Sequence, residues 1–85
     1  MSYLATPVHA HLLGIGGIGV SAVARLLLAR GHRVSGSDVR ESSITRALRS
    51  EGASVFLGHR ASNLAGADLV MRSTAVPETN RRAHV

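Results

Sequence analysis

Three glycines, Gly14, Gly16 and Gly19, stand between a short extended run and a long apolar run, and this spacing restricts the chain more than any other feature. Upstream lies Val8-His9-Ala10-His11-Leu12-Leu13, extended in character. Downstream, from Ile18 to Arg30, Ala, Leu and Val recur with no breaker after Gly19, and Gly31 supplies a helix C-terminus. A Gly-x-Gly-x-x-Gly turn from a strand into a helix has a physical purpose. The first glycine makes a tight turn, the second lets phosphates approach the backbone, and the third lets helix and strand pack closely. The helix start then offers unpaired N–H groups and a partial positive charge to an anion. A tight turn with no ligand is the plainer alternative.

The rest of the chain repeats the alternation. Arg33-Val34-Ser35-Gly36-Ser37 reads as a second strand ending at Asp38, and Ser42 or Ser43 can cap a second helix running to about Glu51, with Ile44, Ala47 and Leu48 as its apolar stripe. After Gly52, Ser54–Leu57 reads as a third strand, Ala61–Leu64 as a helical turn, and Asp68–Arg72 as a fourth strand. Strand–helix alternation of this kind calls for a parallel sheet with right-handed crossovers. The expected class is α/β: a Rossmann-like open parallel sheet of at least four strands with helices on both faces. Asn80–Val85 brings no closing element, so the reading expects truncation at the C-terminus. The first helix is apolar almost all round, with Ser21 and Arg25 as its expected polar edge.

In an open parallel sheet, ligands bind outside the carboxyl ends of the strands. Four stations fall on that edge: Gly14-Ile15-Gly16-Gly17-Ile18-Gly19, Ser37-Asp38, Gly58-His59 and Ser73-Thr74. Asp38, nineteen residues beyond Gly19, suits an acceptor for ribose hydroxyls, with a turn or capping role as the alternative. His59, Ser73 and Thr74 could equally be loop residues. His9 and His11 share a strand face at a spacing that two metal ligands could use. No third ligand is near in sequence, so they read as structural histidines with hydrogen-bonded nitrogens, and no metal site is expected.

Composition removes several classes. All ten basic residues are arginine, so lysine chemistry, including a phosphate-loop lysine, is excluded from this chain. The net charge of +5 would suit an anionic ligand, but the arginines are scattered and only Tyr3 and Phe56 could stack on bases, so no nucleic-acid partner is expected. Without cysteine there is no disulfide framework or cysteine-based zinc site. The first seven residues lack the charged and apolar regions of a signal peptide, and no run approaches the roughly 20 apolar residues of a membrane span, so no membrane partner is expected.

The chain resembles the N-terminal domain of the Mur ligases. The resemblance rests on His11–Ser21, Val34-Ser35-Gly36-Ser37-Asp38, Gly52-Ala53 through Gly58-His59, and Ser73-Thr74-Ala75-Val76-Pro77-Glu78-Thr79-Asn80. It departs at Val20, Ala22, Arg72 and Thr74, where the family more often has Met, Gly, an apolar or aromatic residue and Ser. The resemblance implies that the domain binds the UDP part of UDP-N-acetylmuramic acid. The glycine loop would take the diphosphate, Asp38, His59 and Ser73 would line the same cleft, and Asp38 would lie toward the nucleoside. It further implies a cytoplasmic enzyme that joins L-alanine to the muramic acid carboxylate with ATP and magnesium. ATP and L-alanine would be held by central and C-terminal domains outside this chain, leaving this chain no cofactor of its own and no activity alone. Two other readings remain open from the residues: the cofactor domain of an NAD(P)-dependent dehydrogenase, and a non-catalytic nucleotide-sensing domain.

Overall fold

The computed structural model describes residues 6–72. Its elements are β1 (His9–Leu13), α1 (Ile18–Ala29), β2 (Arg33–Asp38), α2 (Ser43–Ser50), β3 (Ser54–Leu57), a 3-10 turn (Ala61–Leu64) and β4 (Leu69–Arg72). The strands form one parallel sheet in the order β3-β2-β1-β4, with β1 in the interior. The chain therefore winds outward from β1 to β3 and then crosses back to β4. The switch in direction lies beside the end of β1, where the glycine turn begins.

Side chains alternate across the sheet, and the register sorts them into two unlike faces. Ala10 pairs with Val34, Leu12 with Gly36, and Gly36 with Val55. These residues face α1 and α2, which also touch each other. Leu12, Ile15, Leu48 and Ala24 are fully enclosed there, with Val20, Leu27, Val34, Ala53 and Val55 nearly so. A fully buried Leu or Ile stabilises a fold by about 1.5–3 kcal/mol, so this small cluster is the main apolar contribution. The opposite face is polar. It carries His9, His11, Arg33, Ser35 and Phe56, and the 3-10 turn lies over it, leaving a cavity of about 230 Å³ between His9, Arg33, Ser35, Phe56, Ser62 and Asn63.

The two helices start differently, and the difference positions the site. At α2, Ser42 accepts from the Thr45 amide at 3.2 Å while Thr45 Oγ1 accepts from the Ser42 amide at 2.9 Å, a reciprocal cap. At α1 the cap position is Gly17, which has no side chain to supply an acceptor. At the far end, Gly31 adopts φ +86° and the His32 amide returns to Leu27 O at 3.0 Å, closing α1.

Ser21 and Arg25 do not form an exposed polar edge on α1. Ser21 is buried and donates to Ile18 O at 3.0 Å, whereas Arg25 reaches Glu51 at the end of α2, also at 3.0 Å. The roles expected of the glycines also change. A Cβ at Gly19 would meet nothing within 4 Å, so Gly19 is not what brings helix and strand together. That function belongs to Gly36, where a Cβ would lie 2.5 Å from Ile15 Cδ1 and 2.6 Å from Leu12 O. Gly36→Ala should accordingly lower stability by about 1–3 kcal/mol through overpacking, whereas Gly19→Ala should leave it unchanged or raise it by up to about 1 kcal/mol through helix propensity. Urea unfolding of the two variants beside the parent chain measures both.

Candidate functional site

Leu13 delivers the chain to Gly14, whose φ of +74° turns the backbone back across the ends of the strands. The amides of Gly14 and Ile15 both donate to the carbonyl oxygen of Ser37, at 2.8 and 3.1 Å, and Gly17 donates to Gly14 O at 2.9 Å. The Gly16 amide goes elsewhere, to Asp38 Oδ2 at 2.8 Å. The first helical bond follows, from Ser21 N to Gly17 O. Among the described residues the amides of Ile18, Gly19 and Val20 have no acceptor. These three N–H groups point out of the N-terminus of α1, at the carboxyl edge of the sheet. There the peptide dipoles sum to a partial positive charge that favours an anion.

The expected site residues divide into two kinds. Ile18, Gly19 and the neighbouring Gly17 form the open mouth, and the Ile18 side chain is 84% exposed. Gly14, Ile15, Gly16 and Ser37 are framework instead. Ile15 sits wholly in the core and its amide is held by Ser37, so neither its side chain nor its N–H faces a ligand. Gly16 lacks a Cβ for a reason other than phosphate approach: a Cβ there would lie 2.8 Å from Asp38 Oδ2 and 3.1 Å from Thr45 Cγ2. Ser37 is buried, and its hydroxyl shares a hydrogen bond of 2.5 Å with Nδ1 of the exposed His59.

Asp38 lies at the rim with one oxygen on Gly16 N and the other on Val39 N at 2.7 Å. The Gly58 amide donates to Asp38 O at 2.8 Å, and Asn63 Nδ2 donates to Gly58 O at 3.2 Å, so the loop bearing His59 is tied to the end of β2. The glycine turn, Ser37, Asp38 and His59 thus share one edge, while Ser73 and Thr74 lie outside the described residues. Sequence reasoning missed Thr45, Asn63 and Gly36. Only Gly36, in a strand interior, carried a signal of close approach.

The histidines on the polar sheet face form a chain. His9 Nδ1 contacts Gly66 O at 3.0 Å, His9 Nε2 contacts Ser35 Oγ at 2.8 Å, and Ser35 Oγ contacts His11 Nδ1 at 2.7 Å. A carbonyl only accepts, so neutral His9 carries its proton on Nδ1 and presents a bare Nε2. Ser35 has one hydrogen and gives it to His9, so His11 must donate from Nδ1. That leaves His11 Nε2 as a bare acceptor, buried and without a partner among the described residues. Of the four ring nitrogens expected to be hydrogen-bonded, three are. The His11 ring also stacks on Phe56, with centroids 6.4 Å apart.

The family model described as "Mur ligase family, catalytic domain" matches residues 9–84. The chain belongs to the Mur ligase family. Among Mur ligases, the UDP-N-acetylmuramate–L-alanine ligase of Syntrophobacter fumaroxidans is 56% identical over 72 residues, covering 85% of this chain and 15% of that protein. The enzyme of the same name from Alkaliphilus metalliredigens is 49% identical over 72 residues, covering 85% of this chain and 16% of its own. Among solved structures, a murein peptide ligase from Psychrobacter arcticus superposes with a TM-score of 0.72 at 27% identity, covering 92% of this chain and 18% of that one. The chain thus spans about one-sixth of the length of the Mur ligases it matches.

Burial, and after it the proximity of the His9 and His59 rings, holds the His11 imidazole below its ordinary value of 6.5. The unfolded chain therefore binds a proton that the folded chain resists. The stabilisation is complete above the unfolded value and is lost as pH falls through it. Melting temperature should decline between about pH 7.5 and about pH 5, and His11→Phe, which keeps a ring against Phe56, should flatten that decline. Glu41, whose carboxyl Arg49 holds below its usual value of 4.5, acts only at more acid pH.

Proposed function

We propose that this chain holds the UDP moiety of UDP-N-acetylmuramic acid, with the diphosphate on the amides of Ile18, Gly19 and Val20. The observation that carries the reading is this row of three outward N–H groups at the switch point of a parallel sheet, in a chain about half identical to ligases named for that substrate. Each phosphate oxygen would receive a charge-assisted hydrogen bond, and the α1 dipole would add to the attraction. His59, whose ring is oriented by Ser37, would add a contact from the same edge of the sheet. Ser73 and Thr74, which follow β4 in sequence and lie outside the described residues, belong to the same proposal.

The longer protein would be a cytoplasmic ligase that joins L-alanine to the muramic acid carboxylate in peptidoglycan synthesis, using ATP and magnesium. The described residues offer no fit for either of those last two groups. The sequence has no lysine for a phosphate loop, and among the described residues no three His, Asp or Glu side chains gather as metal ligands. ATP, magnesium and L-alanine would be bound by central and C-terminal domains outside this chain, and this chain would bind and orient one substrate without turning it over.

Magnitudes argue for weak binding by the chain alone. Three hydrogen bonds to a charged group contribute about 1.5–3 kcal/mol each. Against this stand roughly 4–15 kcal/mol of lost translational and rotational freedom. Little remains, and a dissociation constant near or above about 1 mM is expected. Titration of the isotope-labelled chain with up to about 10 mM UDP-N-acetylmuramic acid should move the Ile18, Gly19 and Val20 amide resonances, and NADH should move them less. A stronger response to NADH, or unchanged resonances at those three amides, overturns the assignment.

A further inference from the structure

The Asp38 carboxylate occupies a place where a purely ligand-facing acid would not be. It lies within the glycine turn, 2.8 Å from the Gly16 amide, rather than free at the rim. Its second oxygen is fixed by the Val39 amide at 2.7 Å. Room for it exists only because position 16 has no Cβ, and Thr45 Cγ2 closes the other side of the same space. The Thr45 side chain is itself held by the Ser42 cap of α2 and by Glu41. An anion, a missing side chain and a braced neighbour thus converge on one peptide.

We propose that Asp38 is a positioning residue: it serves as a built-in anion that fixes the Gly16 peptide and so aims the amides of Ile18, Gly19 and Val20 at the incoming diphosphate. Gly16 stands two residues before Ile18. Rotation of its peptide would swing the Gly17 cap and reorient the first turn of α1. With the carboxylate in place, that peptide is held from one side by Asp38 while the Ser37 carbonyl holds Gly14 and Ile15. The charge also orders the cleft. A second anion is repelled from the Gly16 end and attracted to the bare amides of the helix start, so phosphates settle over α1 and the uncharged part of the ligand lies beside Asp38. The ligand half of this inference rests on the proposed function. The loop half does not, since it concerns the chain without ligand.

Amide hydrogen exchange and ligand titration separate the two halves. In the ligand-free chain, Asp38→Ala should accelerate exchange at the Gly16 amide about tenfold or more, with strand amides of β1 and β2 unchanged as the check on folding. Asp38→Asn should preserve that protection, because its carboxamide oxygen can still accept from Gly16 while water serves the exposed Val39 amide. Gly16→Ala provides a second route: the added methyl displaces the end of a flexible side chain, so the amide at position 16 should lose protection although the carboxylate remains. With UDP-N-acetylmuramic acid, Asp38→Ala should bind about tenfold more weakly than the parent and Asp38→Asn within about threefold. Equal exchange at Gly16 in the parent and in Asp38→Ala overturns the positioning role. Equal loss of affinity in both Asp38 variants, with Gly16 protection intact in Asp38→Asn, also overturns it and makes Asp38 a direct reader of the nucleoside. No binding by the parent chain, with the exchange differences present, refutes the proposed function and leaves the loop inference standing.

Discussion

The carbonyl oxygen of Ser37 receives two amides, from Gly14 and Ile15, and the geometry of the site follows from that shared acceptor. It joins the end of β1 to the end of β2 just where the chain must reverse. A carbonyl has two lone pairs, and using both on consecutive residues fixes the direction in which the backbone leaves the sheet. The Ile15 side chain then enters the core over Gly36, and α1 begins at a set angle. The same residue also orients His59 through its hydroxyl. One buried serine therefore connects the turn, the sheet and the rim histidine, although its own side chain does not face the cleft.

The chain satisfies its two helix starts in opposite ways. At α2 the donors are met internally by Ser42 and Thr45, and that end is finished structure. At α1 the cap is glycine, and three donors are left to solvent or to a visitor. A serine or aspartate in place of Gly17 would stabilise the helix start locally, by roughly a few tenths of a kcal/mol. It would also fill the space that an anion needs. The fold thus forgoes a local gain at the one end where an outside partner can supply the missing acceptor.

Much of this was legible in the sequence because the punctuation is glycine. Gly52 and Gly58, with φ of +115° and +92°, bracket β3, and the strand has the bounds read from the residues. The order of elements, the parallel sheet and the edge shared by the glycine turn, Asp38 and His59 follow from local pattern plus the handedness of crossovers. The errors concern approaches between residues distant in sequence. The motif alone assigns close packing to Gly19, whereas the crowding occurs at Gly36, where Ile15 arrives from 21 positions earlier. It opens Gly16 to a phosphate, whereas Asp38, 22 residues on, fills that space. Spacing shows which residues reach the rim, but packing decides which of them face outward.

The polar sheet face has a consequence of its own. Ser35 holds a single hydrogen between two imidazoles, so the pair cannot change independently. If His9 gains a proton, its Nε2 becomes a donor and Ser35 must redirect its hydrogen to His11. The proton of His11 then has to migrate to the far side of its ring. Such a hand-off runs along β1 by way of its neighbour β2 without displacing a carbon atom. It would leave every interatomic distance in the sheet nearly unaltered, and only a probe of the nitrogens themselves would register it.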